Sequence, residues 1–289
     1  MIHRPAFQRL HFLGWVAVYL LLAASCLWSL AKDDDLSLGR SPWTNLQKTV
    51  VEFAHPSFLD VWLGNPKLEY KSDDGTILRT EDRRAVEKKF LTALVEATWT
   101  TIKIGTLGSL LAAVAALPLG LLSARNLEAP AAFRYCAKII LDISRSIHTL
   151  VFGLVLVGIV GLGPTAGILA IAAHSLGTYG KLYAEAVEAL DMAAIDAVRA
   201  TGASPAQAFF TAAWPAVLPQ LVSSHLYIWE FNIRDSTILG MVGAGGLGLL
   251  ISEAVSLFQW GRLATILLAV VLLVAAFDAI SARVRERLL

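Results

Sequence analysis

The chain has 289 residues, of which 56% are hydrophobic and only 16% charged, with a formal net charge of +1 and a mean hydropathy of +0.62. Soluble domains carry about 25% charged residues, so this balance excludes a disordered chain and argues against an ordinary soluble enzyme. The near-neutral charge offers no basic field for nucleic acid, and two cysteines, Cys26 and Cys136, form neither a disulfide framework nor a zinc pattern. A lipid bilayer is the expected environment.

A membrane span needs about 20 apolar residues. The first run, Leu10 to Ala31, has no Asp, Glu, Lys or Arg, follows Arg4 and Arg9, and ends at Lys32 and Asp33, Asp34 and Asp35. It reads as a span with a cytoplasmic N-terminus, so that residues 1–31 form one unit. The run is too long for a cleaved signal region of about 7–15 residues, and Ala23 does not suit a lipoprotein site at Cys26. Residues 32–90 are polar, with Pro42, Pro56 and Pro66, the turn-like Asp73-Asp74-Gly75 and the charged run Glu81 to Lys89. They read as a periplasmic loop whose charged run is a solvated helical face or a docking surface. Its basic residues do not oppose an outside position, because the positive-inside bias weakens in long loops.

Residues 91–289 form the core. A second span over Leu91 to Ser123 contains Lys103, placed to snorkel, and leads to Arg125, Arg134, Lys138 and Arg145, which mark the cytoplasm. The stretch Ser146 to Gly180 is broken by Gly161-Leu162-Gly163-Pro164. Two glycines and a proline predict a tight turn, hence a hairpin of spans over 147–162 and 165–187. A fifth span over 216–239, a glycine-rich outer segment from Gly240 to Gly248, a short helix ending near Trp260 and a sixth span from Leu263 to Ile280 complete the count. Arg283, Arg285 and Arg287 hold the C-terminus inside. The expectation is an all-α, multi-pass protein with six transmembrane helices and both termini cytoplasmic.

Between spans four and five the chain is too polar to cross a bilayer, with Glu185, Glu188, Asp191, Asp196 and Arg199 among Ala, Val and Leu. Gly202 sits where a helix takes a left-handed residue. Ser204, Pro205 and Gln207 supply an N-cap, a first-turn proline and a capping box. A helix Phe209 to Ala213 is then expected to stop against Pro215 and Pro219. Two short helices at an angle follow, over about 189–213.

The pattern Asp196-Ala197-Val198, Gly202 and the Trp214-Pro215 and Leu218-Pro219 exit resembles the EAA loop of permease subunits of binding-protein-dependent ABC importers. Asp196 replaces the usual Glu and Val198 the second Ala; the shorter side chain keeps the charge. Arg145-Ser146-Ile147, Val160 to Pro164, Lys181-Leu182 with Glu185 to Glu188, Arg199 to Ala203 and Val242 to Gly248 are together similar to permeases of phosphonate importers and their phosphite and hypophosphite relatives, over residues 90–289. The resemblance implies a type I ABC importer (MetI-like) transmembrane domain in the bacterial inner membrane, a homodimer, two cytoplasmic ABC ATPase subunits and a periplasmic substrate-binding protein. It implies that Asp196, Ala197, Arg199, Gly202, Ala203, Ser204 and Pro205 belong to the coupling helix that docks on the ATPase. No cofactor is expected on this chain: ATP and Mg belong to the partner ATPase, and no G-x-x-x-x-G-K-[ST] loop occurs. His148 differs from the acidic residue expected after Arg-Ser-Ile in phosphonate permeases, a hint toward a phosphite-type relative.

Glu230, Asn232, Arg234, Asp235 and Ser236 lie toward the outer end of span five. Charges at membrane depth face a bundle interior or an aqueous path. Arg234 follows Glu230 by four residues, so the two either neutralise each other or meet the passing anion. With Ser146 and His148 at the inner start of span three, Glu230, Asn232, Arg234 and Ser236 are candidates for a translocation path. His174, Thr178 and Tyr179 lie within span four, where a lone His is an interhelical hydrogen-bond partner or a proton relay. Gly243, Gly245 and Gly248 match G-x-G-x-x-G, but a dinucleotide site needs a preceding strand and an acid about 20 residues on, where this chain has Thr265-Ile266-Leu267. These glycines, with Gly246, read as a turn whose bare backbone passes close to a neighbouring helix. The alternative function is an ion-coupled secondary transporter of a small anion, working through Glu230, Asp235 or His174. An ion-driven carrier has no need of an ATPase dock.

Overall fold

A computed structural model describes residues 6–32, 41–63, 67–71, 77–127 and 130–288. Arg4, Asp33 to Asp35, Pro66 and the turn at Asp73-Asp74-Gly75 lie outside the described residues. The chain divides into two compact units, residues 1–51 and 52–289. The first contains α1 (Ala6–Lys32) and most of α2 (Pro42–Phe53).

The second unit starts with a short 3₁₀ turn, Ser57–Leu59, and α3 (Asp60–Leu63), followed by the antiparallel pair β1 (Lys67–Lys71) and β2 (Ile77–Asp82). The segment expected as a loop therefore carries secondary structure, and its hairpin is a small exception to an otherwise helical chain. Lys67 pairs with Asp82 and Glu69 with Thr80, and the alternation of charged with β-favouring residues suits a two-stranded ribbon.

Next comes α4 (Arg83–Ser123), 41 residues long and so about 60 Å, twice the hydrocarbon thickness. Asp82 caps it, its side chain accepting from the Arg84 amide. Of the charged run expected to stand before the span, Glu81 and Asp82 end β2, and Arg83 to Lys89 are the first turns of the same helix, because nothing between Lys89 and Leu91 breaks it. Arg83 donates to buried Asp60 at 2.6 Å, Arg262 to buried Glu87 at 2.9 Å, and the Ser57 and Thr265 hydroxyls bond at 3.1 Å. These bonds tie α3 and the preceding turn to α4 and to the last helix.

After α4, α5 (Ala131–Ser146) meets α6 (Thr149–Val160) at 92°. The basic stretch read as a cytoplasmic edge is thus a helix, with the bend one step before the expected start of span three. Ile147 and His148 adopt extended backbone there, and the His148 ring accepts from the Leu150 amide. The Gly161-Leu162-Gly163 turn leads to α7 (Pro164–Glu188), with Pro164 in its first turn. Then come α8 (Met192–Ala200), α9 (Pro205–Ala208), a π-helical turn Phe209–Ala213, α10 (Trp214–Leu239), a 3₁₀ turn Gly240–Val242, α11 (Leu247–Ser256) and α12 (Trp260–Leu288).

The expected stop at Pro215 and Pro219 does not occur. The π turn runs straight into α10, with Pro215 in its first turn and Pro219 inside it; each proline removes one N–H from the helical ladder without ending the run.

Among the described residues, three helices are long and apolar enough to cross a membrane: Gly14–Lys32, Arg83–Ser123 and Trp260–Arg287. The bent pairs α5 with α6, and Pro205–Val242 with α11, raise the number to five. The expected span over 165–187 is not in this set. Its helix α7 packs against α4, α5, α6 and α10, and a helix surrounded by protein tolerates Ser, Thr, His, Tyr and Gly that lipid would not. In the core, the small Ala112 and Ala116 of α4 pack against Tyr179 and Tyr183 of α7 and Leu221 of α10 in one cluster. Cβ atoms at Gly177 and Gly180 would run into Arg145 and Leu141, so α5 lies almost backbone to backbone on α7.

Candidate functional site

Two regions collect the residues singled out in the sequence. The first is the helix-turn-helix. Asp191 caps α8 through the Ala193 amide at 2.9 Å. The helix ends at Gly202, with φ +87°, a backbone open to glycine at no steric cost, and the Gly202 amide returns to the Arg199 carbonyl at 2.9 Å. The capping box is formed: the Ser204 amide donates to Gln207 Oε1 at 2.9 Å and the Gln207 amide to Ser204 Oγ at 3.3 Å. Ile195, Ala208 and Ala213 make a small core with Leu190, Met192, Val198 and Phe209. Asp196, Ala197, Arg199, Gly202, Ser204 and Pro205 face outward and Ala203 is half-buried. Beside them opens an apolar groove of about 340 Å³ that reaches from Asn126 and Leu190 to Pro205 and Phe210. Asn126 fixes its base, donating to the Val187 carbonyl at 2.6 Å.

The second region is the contact of α7 and α10. Asn232 is 1% exposed; its Nδ2 donates to Ser109 Oγ on α4 at 2.8 Å, and its Oδ1 accepts from Ser175 Oγ on α7 at 2.9 Å. Asp235 accepts from the Thr149 hydroxyl at 2.9 Å, and Ser236 donates to the Thr101 and Ile233 carbonyls. One turn of α10 thus joins α4, α6 and α7 by hydrogen bonds. Asn232 and Ser236 sit inside the packed bundle, with their polar atoms engaged.

Glu230 and Arg234 do pair, at 3.5 Å, with the Arg234 side chain 49% exposed and Glu230 16% exposed. Arg234 shares an outward stripe of α10 with Tyr227, Phe231 and Ile238. Between this stripe and α7 lies a groove of about 180 Å³ lined by His174, Ser175, Thr178, Tyr227, Phe231 and Asn232. His174 Nδ1 is bonded to the Ile147 carbonyl at 2.8 Å, and its ring lies 6.2 Å from that of His148. Ser146 and His148 are exposed at the bend.

The sequence reading missed a polar stripe on α7. His174, Thr178, Lys181, Glu185 and Glu188 recur at helical spacing on its solvent-accessible side, the first two half-exposed and the others exposed. Their period of three and four was readable, but the segment had been divided between a span and an amphipathic connector.

The glycine-rich segment is a turn. Gly243, Gly245 and Gly246 have φ of +103°, +83° and +71°, a Cβ at Gly240 would lie 2.7 Å from Gly248 Cα, and the Leu247 amide donates to Thr101 Oγ1 at 2.9 Å. The Gly163 amide bonds the Gly243 carbonyl at 3.0 Å, which links this turn to the α6–α7 turn.

Residues 116–289 match the family of binding-protein-dependent transport system inner membrane components. The chain belongs to that family. This inner membrane component is 42% identical over 200 residues to the putative phosphite transport system permease protein HtxC of Stutzerimonas stutzeri, covering 69% of this chain and 71% of that one. It is 37% identical over 186 residues to the phosphite transport system permease protein PtxC of the same organism, covering 64% and 68%. Identity to the phosphate-import permease protein PhnE of Mycolicibacterium smegmatis is 36%, over 65% of this chain and 35% of that one. Among solved structures, an inward-facing MetNI methionine ABC transporter chain superposes with a TM-score of 0.63 at 24% identity, over 70% of this chain and 98% of that chain. An amino acid ABC transporter chain gives 0.58 at 16% identity, over 70% and 97%. The fold is therefore that of the type I importer membrane domain. The inner membrane component is a multi-pass transport subunit and not an enzyme.

Proposed function

We propose that the chain is the permease of an ATP-driven importer for phosphonate or a related phosphorus oxyanion such as phosphite or hypophosphite. It works as a homodimer with two cytoplasmic ATPase subunits that hold ATP and Mg and with a periplasmic binding protein that delivers the anion. Six helices cross the membrane with both termini in the cytoplasm, α8 and α9 form the coupling helix, and residues 32–90 face the periplasm. Asp196, Arg199 and Gly202 to Pro205 meet the ATPase.

The observation that carries the path is the stripe on α7. A helix packed into a membrane bundle leaves His174 and Thr178 half-exposed, in line with exposed Lys181, Glu185 and Glu188 toward the end where α8 leaves, and polar groups at membrane depth do not face hydrocarbon without large cost. The stripe is accounted for when a second copy closes over it and water fills the space between. Arg234 then meets the anion toward the outer end, with Glu230 limiting its grip so that the anion leaves again.

The test is thiol accessibility in the assembled transporter. In a background with Cys26→Ser and Cys136→Ser, T178C is modified by a membrane-impermeant thiol reagent, and the reaction is slowed by phosphite with the binding protein. T178C that stays inert while S41C, exposed before α2, reacts overturns the path. In proteoliposomes, R234Q lowers phosphite uptake while assembly persists. Uptake that continues without any ATPase restores the ion-coupled alternative.

A further inference from the structure

At the end of the bundle from which α8 and α9 leave, α4, α5 and α7 enclose a pocket of about 310 Å³, at the small end of the roughly 300–1,000 Å³ range of ligand sites. Its wall is charged, and the charges are unequal in number. Three acids line it, each already engaged: Asp142 by Arg145 at 2.8 Å, Glu185 by Lys181 at 3.6 Å, and Glu188 by the Arg125 backbone amide at 2.9 Å. Arg134, also in the wall, donates to the Leu127 carbonyl at 3.5 Å. The Arg125 guanidinium and the Lys138 ammonium also line the pocket, and among the described residues neither has a side-chain partner. Cations thus outnumber acids by two, and two of them remain for something else.

We propose that this pocket binds a phosphate-type oxyanion, with Arg125 and Lys138 as its principal donors. A guanidinium fork and an ammonium together suit a tetrahedral dianion, the first in two parallel bonds and the second as a point charge. Two sources share the chemistry. One is the headgroup of an anionic lipid: α5, which carries Lys138, also exposes Phe133, Tyr135, Ile139, Ile140 and Ile143, apolar surface for acyl chains on the same helix as the basic wall. The other is a free phosphorus oxyanion, since Lys181, Glu185 and Glu188 of the α7 stripe are in the same wall. The free-oxyanion source rests on the proposed path, whose α7 stripe shares this wall, and the lipid source does not.

The experiment uses the full permease with its ATPase in nanodiscs of phosphatidylcholine alone, titrated with inorganic phosphate and with methylphosphonate by calorimetry. In parallel, native mass spectrometry counts phosphatidylglycerol retained from mixed nanodiscs. Saturable phosphate binding that weakens roughly a hundredfold in R125Q/K138Q, about tenfold per cation, assigns the site to a free oxyanion. Phosphate that fails to bind, with phosphatidylglycerol retained by the wild type and lost in R125Q/K138Q, assigns it to a lipid. R125K/K138R retains most of the binding in either case. Absence of both ligands from the wild type, or equal retention by R125Q/K138Q, overturns the proposal.

Discussion

Gly177 offers a sharp test of how α5 and α7 are held. A Cβ at this position would lie 2.6 Å from the Arg145 amide nitrogen and 2.9 Å from Arg145 Cβ, and it would strike the Leu141 carbonyl. Two of these atoms are backbone and cannot turn aside, so Gly177→Ala has to push α5 away. The Gly177 amide also donates to Ser144 Oγ at 2.9 Å, a bond worth about 1 kcal/mol that the shift weakens. Overpacking costs about 1–3 kcal/mol, and alanine returns about 0.5–1 kcal/mol of helix preference over glycine. The expected net loss is about 1–3 kcal/mol. Gly158, on α6, has no atom within 4 Å of its hypothetical Cβ, so the same change there is neutral or stabilising by up to about 1 kcal/mol. The assay is thermal unfolding of the detergent-solubilised chain by tryptophan fluorescence at one fixed scan rate, where about 2–4 °C corresponds to 1 kcal/mol. G177A is expected to unfold several degrees below wild type and G158A at or slightly above it. A G177A midpoint equal to wild type, or an equal fall in G158A, refutes the close packing of the two helices.

Three further outcomes follow from other contacts. R262Q leaves buried Glu87 without its 2.9 Å partner and should destabilise the chain by about 3 kcal/mol; E87Q/R262Q should recover at least half of that, read as a double-mutant cycle in the same unfolding assay. N232L removes two interhelical hydrogen bonds worth about 0.6 kcal/mol each in a membrane protein, so it should lower stability by about 1 kcal/mol and still assemble. G202A forces a side chain into φ +87° at about 1 kcal/mol; with Q207A, which opens the capping box at about another 1 kcal/mol, it should uncouple ATPase activity from uptake while complex formation, followed by size-exclusion chromatography, survives.

The sequence displayed the elements whose signals are local. The cap at Ser204, the left-handed Gly202 and the Gly161–Pro164 turn depend on residues within four positions of each other, and each appears where its chemistry put it. What was not legible depended on neighbours distant in the chain. Asn232 offers a polar side chain on a helix, but only the packing of Ser109 and Ser175 against it shows that its amide bridges three helices. The continuity of α9 through Phe209–Ala213 into α10 is not legible because Pro215 and Pro219 read as breakers, although the helix passes through both. The secondary structure of residues 42–82 was obscured by short elements whose burial, as at Asp60 and Ser57, comes from α4 and α12.

That continuity has a mechanical consequence. The helix-turn-helix and α10 form one helical run with Pro219 inside it, so a push on α9 would arrive at the far end of α10 as torque on a shaft that can bend at Pro219. From Ala213 to Arg234 the shaft is about 32 Å long, and its hydrogen bonds to Ser109, Ser175 and Thr149 are the bearings it has to turn against. Twisting α10 by a fraction of a turn would carry the Arg234 guanidinium from one side of the bundle to another without unfolding a residue.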